Sequence, residues 1–257
     1  MIEQLLKISL LGGLINMDDV PLIQCMVSQP VAAAPLIGWI FGDLKAGLVI
    51  GSFLELLMVY FLPIGCAVPM DGSLAAIIAT GIFLLAEPLF PGQREALIGL
   101  AIALALPFSA IAQRVSVSVR RLNGKTSDYA QRMVLDEKLR KIDLLHLSGI
   151  GLFFLRSFSL CLISLLISVP IIQKCAPLLP PGFFRGLKLL YFAYPMIGIA
   201  LIFDAFRNKA MYWLFALSFL SAALFSTFLP LPAWAAFAVP CVLLGTLFGV
   251  REALKER

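Results

Sequence analysis

The chain is predicted to be an all-α, polytopic membrane protein with roughly seven to nine hydrophobic segments, some of them broken or re-entrant helices in the N-terminal half. Three observations predict this. Of 257 residues, 61% are hydrophobic and 14% charged, at a mean hydropathy of +0.98, which is more apolar surface than a soluble domain of this length can bury. Long uncharged runs alternate with short polar breaks. Acids also stand inside otherwise apolar sequence, in Gly42-Asp43-Leu44-Lys45-Ala46-Gly47, at Glu55 after Gly51-Ser52-Phe53-Leu54, and at Asp71 after Gly65-Cys66-Ala67-Val68-Pro69-Met70. A carboxylate near the bilayer centre costs about 2.5–3.5 kcal/mol on insertion scales, so Glu55 demands a polar partner, a water-filled cavity or a polar substrate. That pattern points to transport.

The segments follow in order. Val20 to Gly42 carries no charge, but Pro21, Pro30 and Pro35 preclude one straight, fully bonded helix, so a broken or re-entrant helix is expected. Ala46 to Leu62 is apolar except for Glu55. Gly72 to Ala86 is uncharged but reaches only about 22 Å as a helix, short of a ~30 Å hydrocarbon core. Ala96 to Gln113 is a better spanning length, with Pro107 placed to kink it.

Arg114 to Asp143 is the polar break, where Arg114, Arg120, Arg121, Lys125, Arg132, Lys138, Arg140 and Lys141 face only Asp128, Asp136, Glu137 and Asp143. The positive-inside rule places it in the cytoplasm. Its middle, from about Ser127 to Lys141, is expected to form an amphipathic surface helix capped by Ser127 or Asp128. Leu147 to Gln173 then spans with a single charge, Arg156, and Leu189 to Phe203 follows with Pro195 inside it. Met211 to Val250 folds back at Pro230-Leu231-Pro232 into two helices. Counting spans from the connector puts Arg207-Asn208-Lys209 and the tail from Arg251 inside as well, whereas Lys174, Arg185 and Lys188 fall outside, against the rule. Residues 1–257 are therefore expected to form one integral membrane domain: spans and re-entrant segments over 1–113, a basic cytoplasmic connector over 114–146, and C-terminal spans over 147–257.

Several functions are disfavoured. Met1-Ile2-Glu3-Gln4 lacks the positive start of a secretory signal, so no cleaved targeting segment is expected. Cys25, Cys66, Cys161, Cys175 and Cys241 have neither C-x-x-C spacing nor a histidine cluster and read as small packing residues. The net charge of +5 comes largely from the connector, which argues for lipid topology and not nucleic acid. No metal site, cofactor, P-loop or nucleophile–base pair is expected, and His146, the sole histidine, reads as an interfacial residue starting a span. The chain is not expected to be an enzyme by itself.

The polar residues of the first half are the site candidates. Asp43 and Lys45 are two apart and cannot face each other on a helix, and Glu55 lies about 18 Å further along one, so the three cannot share a site through a single helix. Asp43 and Lys45 are expected near a helix end, as anchors or in function, and Glu55 deeper, at a polar site or paired with a neighbouring helix. Asp71 closes the turn-rich stretch Pro63 to Gly72; at depth it can accept hydrogen bonds from sugar hydroxyls, and in water it is an N-cap for the next helix. Gln24 and Gln29 are further polar candidates, while Asp18 and Asp19 read as interfacial. Arg156 either snorkels or pairs with an acid.

At these residues the chain resembles the membrane subunit IIC of the mannose/sorbose family of the bacterial phosphoenolpyruvate-dependent sugar phosphotransferase system. The likeness rests on an ordered series: Gly42, Asp43, Lys45 and Gly47; Gly51, Leu54 and Glu55; Ile64, Gly65, Ala67 and Asp71. A weaker likeness covers most of the chain, including the polar connector followed by His146. Two departures stand out: Met70 separates Pro69 from Asp71, where the family usually has Pro directly before the aspartate, and Gln29-Pro30 replaces a frequent Arg-Pro.

The resemblance implies a multi-pass protein of the bacterial inner membrane that translocates a hexose or related sugar. It implies a hetero-oligomer with a IID membrane subunit, served by soluble IIA and IIB phosphocarriers, in which one rigid group of helices moves against another to alternate access. By matched position, Glu55 and Asp71 are the expected sugar-binding acids, with Asp43 and Lys45 supporting half-helix ends. The alternatives are a divergent, non-transporting scaffold or receptor of the same fold, and a proton- or sodium-coupled secondary transporter with Glu55 as the coupling group.

Overall fold

Prolines and glycines cut the first half of the chain into short helices, and their near absence from the connector lets the next helices run long. The computed structural model describes residues 2–59, 67–135 and 140–205, together with Leu220. Over these residues it contains α1 (Ile2–Asn16), α2 (Pro30–Phe41), α3 (Leu44–Met58), α4 (Gly72–Ala86), α5 (Arg94–Leu135), α6 (Arg140–Cys175) and α7 (Pro181–Ala205). No strand occurs among the described residues. Met1–Ala200 forms one compact unit and Leu201–Arg257 a second, of which only 201–205 and Leu220 are described. The two helices expected over Met211–Val250 therefore lie outside the described residues, apart from Leu220.

Pro30 opens α2 at its first turn, where a missing N–H costs nothing, and Pro35 lies inside the helix. At 12 residues α2 reaches about 18 Å and cannot cross a bilayer. It turns back into α3 at Gly42, whose φ of 93° is the left-handed conformation that favours glycine, and Asp43 then caps α3 by accepting from the Ala46 N–H at 3.0 Å. The hairpin is packed backbone on backbone. A Cβ on Gly47 would stand 2.5 Å from the Ala34 carbonyl oxygen, and one on Gly38 would stand 2.5 Å from that of Asp43.

Helix α4 is the centre of the bundle, touching α1, α2, α3, α5 and α6, and 12 of its 15 residues are buried. A 3-10 turn over Glu87–Leu89 follows it directly, so the apolar stretch is longer than the Gly72 to Ala86 run expected from the sequence. Gly72–Leu89, Arg94–Val134, Ile142–Leu178 and Pro181–Ile202 are each long and apolar enough to cross a membrane. The exposed Leu6, Leu10 and Leu14 form an i, i+4 stripe on the outer side of α1, opposite its buried Leu5, Ile8 and Ile15.

The connector differs from its expected form. There is no separate surface helix capped at Ser127 or Asp128; α5 continues unbroken to Leu135, 42 residues in all. Residues 114–135 contain no proline, one glycine and many strong helix formers, so the helix continues through them and the N–H groups near Asp128 already have intrahelical partners. Pro107 sits within α5 without ending it. At the opposite end of the bundle Lys188 pairs with Glu95 at 2.6 Å. Of the cysteines described there, Cys161 is buried as a packing residue, but Cys25 and Cys175 are exposed.

Candidate functional site

Asp71 is the N-cap its sequence allowed, and it is buried. As the N-cap of α4 its Oδ1 accepts from the Leu74 N–H at 2.9 Å, and it does so while buried, at 8% exposure. Asn16, the last residue of α1, donates to the same oxygen at 3.0 Å. The other carboxylate oxygen is ion-paired with the Arg156 guanidinium from the middle of α6, itself 6% exposed. Arg156 also donates to Asn16 Oδ1 at 3.3 Å, where the Ser157 hydroxyl donates at 2.6 Å. On α5, the Ser109 hydroxyl donates to the Asp71 carbonyl at 2.9 Å and the Gln113 amide to the Val68 carbonyl. Two carbonyls of the non-helical backbone just before α4, those of Val68 and Asp71, thus accept from side chains of α5.

Beside this cluster lies a cavity of about 390 Å³ lined by Asp71, Gln24 and Gln29 among the sequence candidates. Sequence reasoning did not select Ser28, Ser73, Gln113, Ser116 and Arg120, which also line it. The signal for three of them was available, since Gln113, Ser116 and Arg120 fall at i, i+3 and i+7 and so share one face of a helix. Ser73 and Arg156 both line the cavity, and each holds one buried polar atom, Oγ and Nε, without a hydrogen-bond partner.

The loop after α1 forms another wall, and Asp18 organises it. Its buried carboxylate accepts from the Cys25 N–H at 2.8 Å, the Cys25 thiol at 3.1 Å, the Ser28 N–H at 3.2 Å and the Ser28 hydroxyl at 3.3 Å. Burial pushes this carboxyl up, and the hydrogen bonds from Cys25 and Ser28 outweigh it, bringing it down to about 2. The interfacial reading of Asp18 is therefore corrected: its oxygens face protein N–H, O–H and S–H groups. Between the clamped residues, Gln24 and Met26 take left-handed backbone, with φ of 57° and 66°.

The remaining candidates are placed apart. Glu55 does not line the cavity; its Oε2 accepts from the Val31 N–H at 3.2 Å, closing the first turn of α2 next to Gln29 and Pro30, which do. Asp43 and Lys45 lie at the far end of the hairpin, where Asp43 is ion-paired with Arg94 and Lys45 is exposed. Arg94 also pairs with Glu87 and stacks over the Phe83 ring at 5.0 Å, tying that end to the start of α5. His146 stands exposed on α6, seven residues into the helix. No cluster of three or more potential metal ligands occurs among the described residues.

The family described as the sorbose-specific IIC component of the phosphotransferase system matches residues 2–244. The chain belongs to this family. This sorbose-family IIC chain is 29% identical over 219 residues to the sorbose-specific EIIC component of Klebsiella pneumoniae, covering 85% of this chain and 79% of that protein. It is 29% identical over 196 residues to the mannose-specific EIIC component of Escherichia coli K12, covering 76% and 71%, and 26% identical over 219 residues to the fructose permease IIC component of Bacillus subtilis, covering 85% and 77%. One solved structure of a membrane protein superposes with a TM-score of 0.72 at 25% identity over 96% of this chain and 95% of that one. The cryo-EM structure of the mannose transporter ManYZ with microcin E492 shares the fold, at a TM-score of 0.56 and 24% identity over 96% and 95% of the two chains. The IIC chain is accordingly a multi-pass membrane subunit of a sugar phosphotransferase system, placed in the bacterial inner membrane.

Proposed function

We propose that this IIC chain carries a neutral hexose or related sugar through the cavity beside Asp71 and delivers it for phosphorylation by a IIB partner. The observation that carries the reading is the polar lining of that cavity, where Gln24, Gln29, Asp71, Ser73, Gln113 and Arg156 come together and Ser73 Oγ and Arg156 Nε are left without partners. A buried polar group without a partner costs about 1–3 kcal/mol, and a sugar hydroxyl can accept from the guanidinium and either donate to or accept from the serine. Gln24, Gln29 and Asp71 supply further polar contacts. Glu55 serves the site by fixing the N-terminus of α2, and Asp43 and Lys45 support the other end of the same hairpin.

The chain holds no phosphorylation chemistry of its own in this reading. A IID membrane subunit completes the translocation unit, and soluble IIA and IIB proteins bring the phosphoryl group, in a hetero-oligomer within the lipid bilayer. The test is sugar uptake into vesicles holding the assembled complex, with and without phosphoenolpyruvate and the soluble components. Uptake is expected to require both and to yield phosphorylated sugar. Ser73→Ala is expected to weaken sugar binding about 5-fold, the equivalent of one hydrogen bond. Unchanged affinity in both Ser73→Ala and Arg156→Lys would move the sugar out of this cavity.

A further inference from the structure

A second cavity, about 470 Å³, lies towards the connector end of α5 and α6, with Asn123, Ser127 and His146 on its wall. Among the described residues, Val20 is the only one that lines both cavities. The two are also joined by one face of α5. Gln113, Ser116 and Arg120 line the first cavity, Asn123 and Ser127 the second, and their spacings of three, four, three and four keep all five on one side of the helix. This polar seam runs about 21 Å along the axis. Asn123 Oδ1 is buried without a partner, while its amide nitrogen makes only a long contact of 3.5 Å to the Gly149 carbonyl.

Val20 itself is held in place. It follows Asp18, whose carboxylate is clamped by Cys25 and Ser28, and the Leu22 N–H donates back to the Met17 carbonyl at 3.1 Å. Val20 is thus an apolar, β-branched residue common to the linings of both cavities, and its side chain offers no hydrogen bond that would retain a polar solute.

We infer that the second cavity is the release vestibule for the sugar, reached from the first past Val20 along the polar seam of α5. The inference rests on the reading of the first cavity as the sugar site. It adds a route: the sugar passes Val20, with Asn123 and Ser127 replacing in turn the hydrogen bonds it gives up in the first cavity.

The test uses the full chain assembled with its partner subunits. In a background with Cys25, Cys66, Cys161, Cys175 and Cys241 replaced by alanine, Val20→Cys is modified with a bulky methanethiosulfonate after radiolabelled sugar has bound. Release is expected to slow at least 10-fold and to recover on reduction. Asn123→Leu, outside the first cavity, is expected to lower uptake about 5-fold while sugar affinity in the purified complex stays the same. Release at the unmodified rate after full labelling, or normal uptake by Asn123→Leu, overturns the vestibule. If Ser73→Ala and Arg156→Lys leave affinity unchanged, the cavity reading fails instead, whatever Val20 does.

Discussion

The carboxylate of Glu55 accepts a hydrogen bond from the backbone N–H of Val31, 3.2 Å away, so an acid near the end of α3 closes the start of α2. The N-terminal N–H groups of a helix have no partner within it and carry its partial positive charge, which makes this a favourable seat for a carboxylate inside a membrane protein. Glu55→Gln keeps an oxygen acceptor and is expected to lose only a few tenths of a kcal/mol, whereas Glu55→Ala loses the bond and about 1 kcal/mol. Thermal unfolding of the detergent-solubilised protein separates the two. Equal losses would mean that charge, and not the hydrogen bond, is what α2 requires.

The ion pair between Asp71 and Arg156 joins the start of α4 to the middle of α6 with both groups buried. Removing one partner of such a pair leaves an unpaired charge and typically costs about 3–5 kcal/mol, while replacing both is far milder. Arg156→Met is therefore expected to unfold at a much lower temperature than the parent, and Asp71→Asn with Arg156→Met to regain most of the loss. A double variant no more stable than Arg156→Met would show that the arginine matters through packing instead.

Gly47 marks one of the closest approaches in the α2–α3 hairpin. The atoms an added methyl would meet are the Ala34 carbonyl oxygen at 2.5 Å and the Pro35 Cα at 2.8 Å, both backbone, so neither can rotate away. Gly42 presents the opposite case: its φ of 93° strains any other residue, but the space around its missing Cβ is open. Gly42→Ala is expected to cost about 1 kcal/mol and keep the hairpin closed. Gly47→Ala is expected to push the two helices apart, read as faster proteolysis of the hairpin in detergent at equal protein concentration.

Much of this arrangement was legible in the sequence because it is local. Proline placement forecast a broken helix between Val20 and Gly42, Asp43 and Lys45 read as residues near a helix end, and Glu55 declared a need for a partner. The choice of partner was not legible. Arg156 meets Asp71 across 85 positions and Asn16 across 140, and no periodicity within a helix encodes which helices become neighbours. The same holds for the cavity wall, where Ser73 and Arg120 are unremarkable until folding brings them beside Gln24 and Gln29. The extension of α5 through the connector was missed for a different reason: charge was weighed as a break in the membrane span, although arginine, lysine and glutamine sustain a helix in water.

Asp18 gives the loop after α1 a dependence on pH. Its carboxyl lies at about 2 in the folded protein against an ordinary 3.8, so its charged form stabilises the fold fully above the ordinary value and loses that contribution as pH falls through the interval. The clamp has work to do, because left-handed backbone at Gln24 and Met26 costs of order 1–3 kcal/mol each. Asp18→Asn replaces one of the two accepting oxygens with a donor, which cannot serve the hydrogen bonds from both Cys25 and Ser28, and it does not titrate. The melting temperature of the parent should therefore exceed that of Asp18→Asn at pH 6, with the gap closing between about pH 4 and pH 2. A gap that stays constant through that range would mean that the asparagine disturbs packing and that the carboxylate charge does not hold the loop.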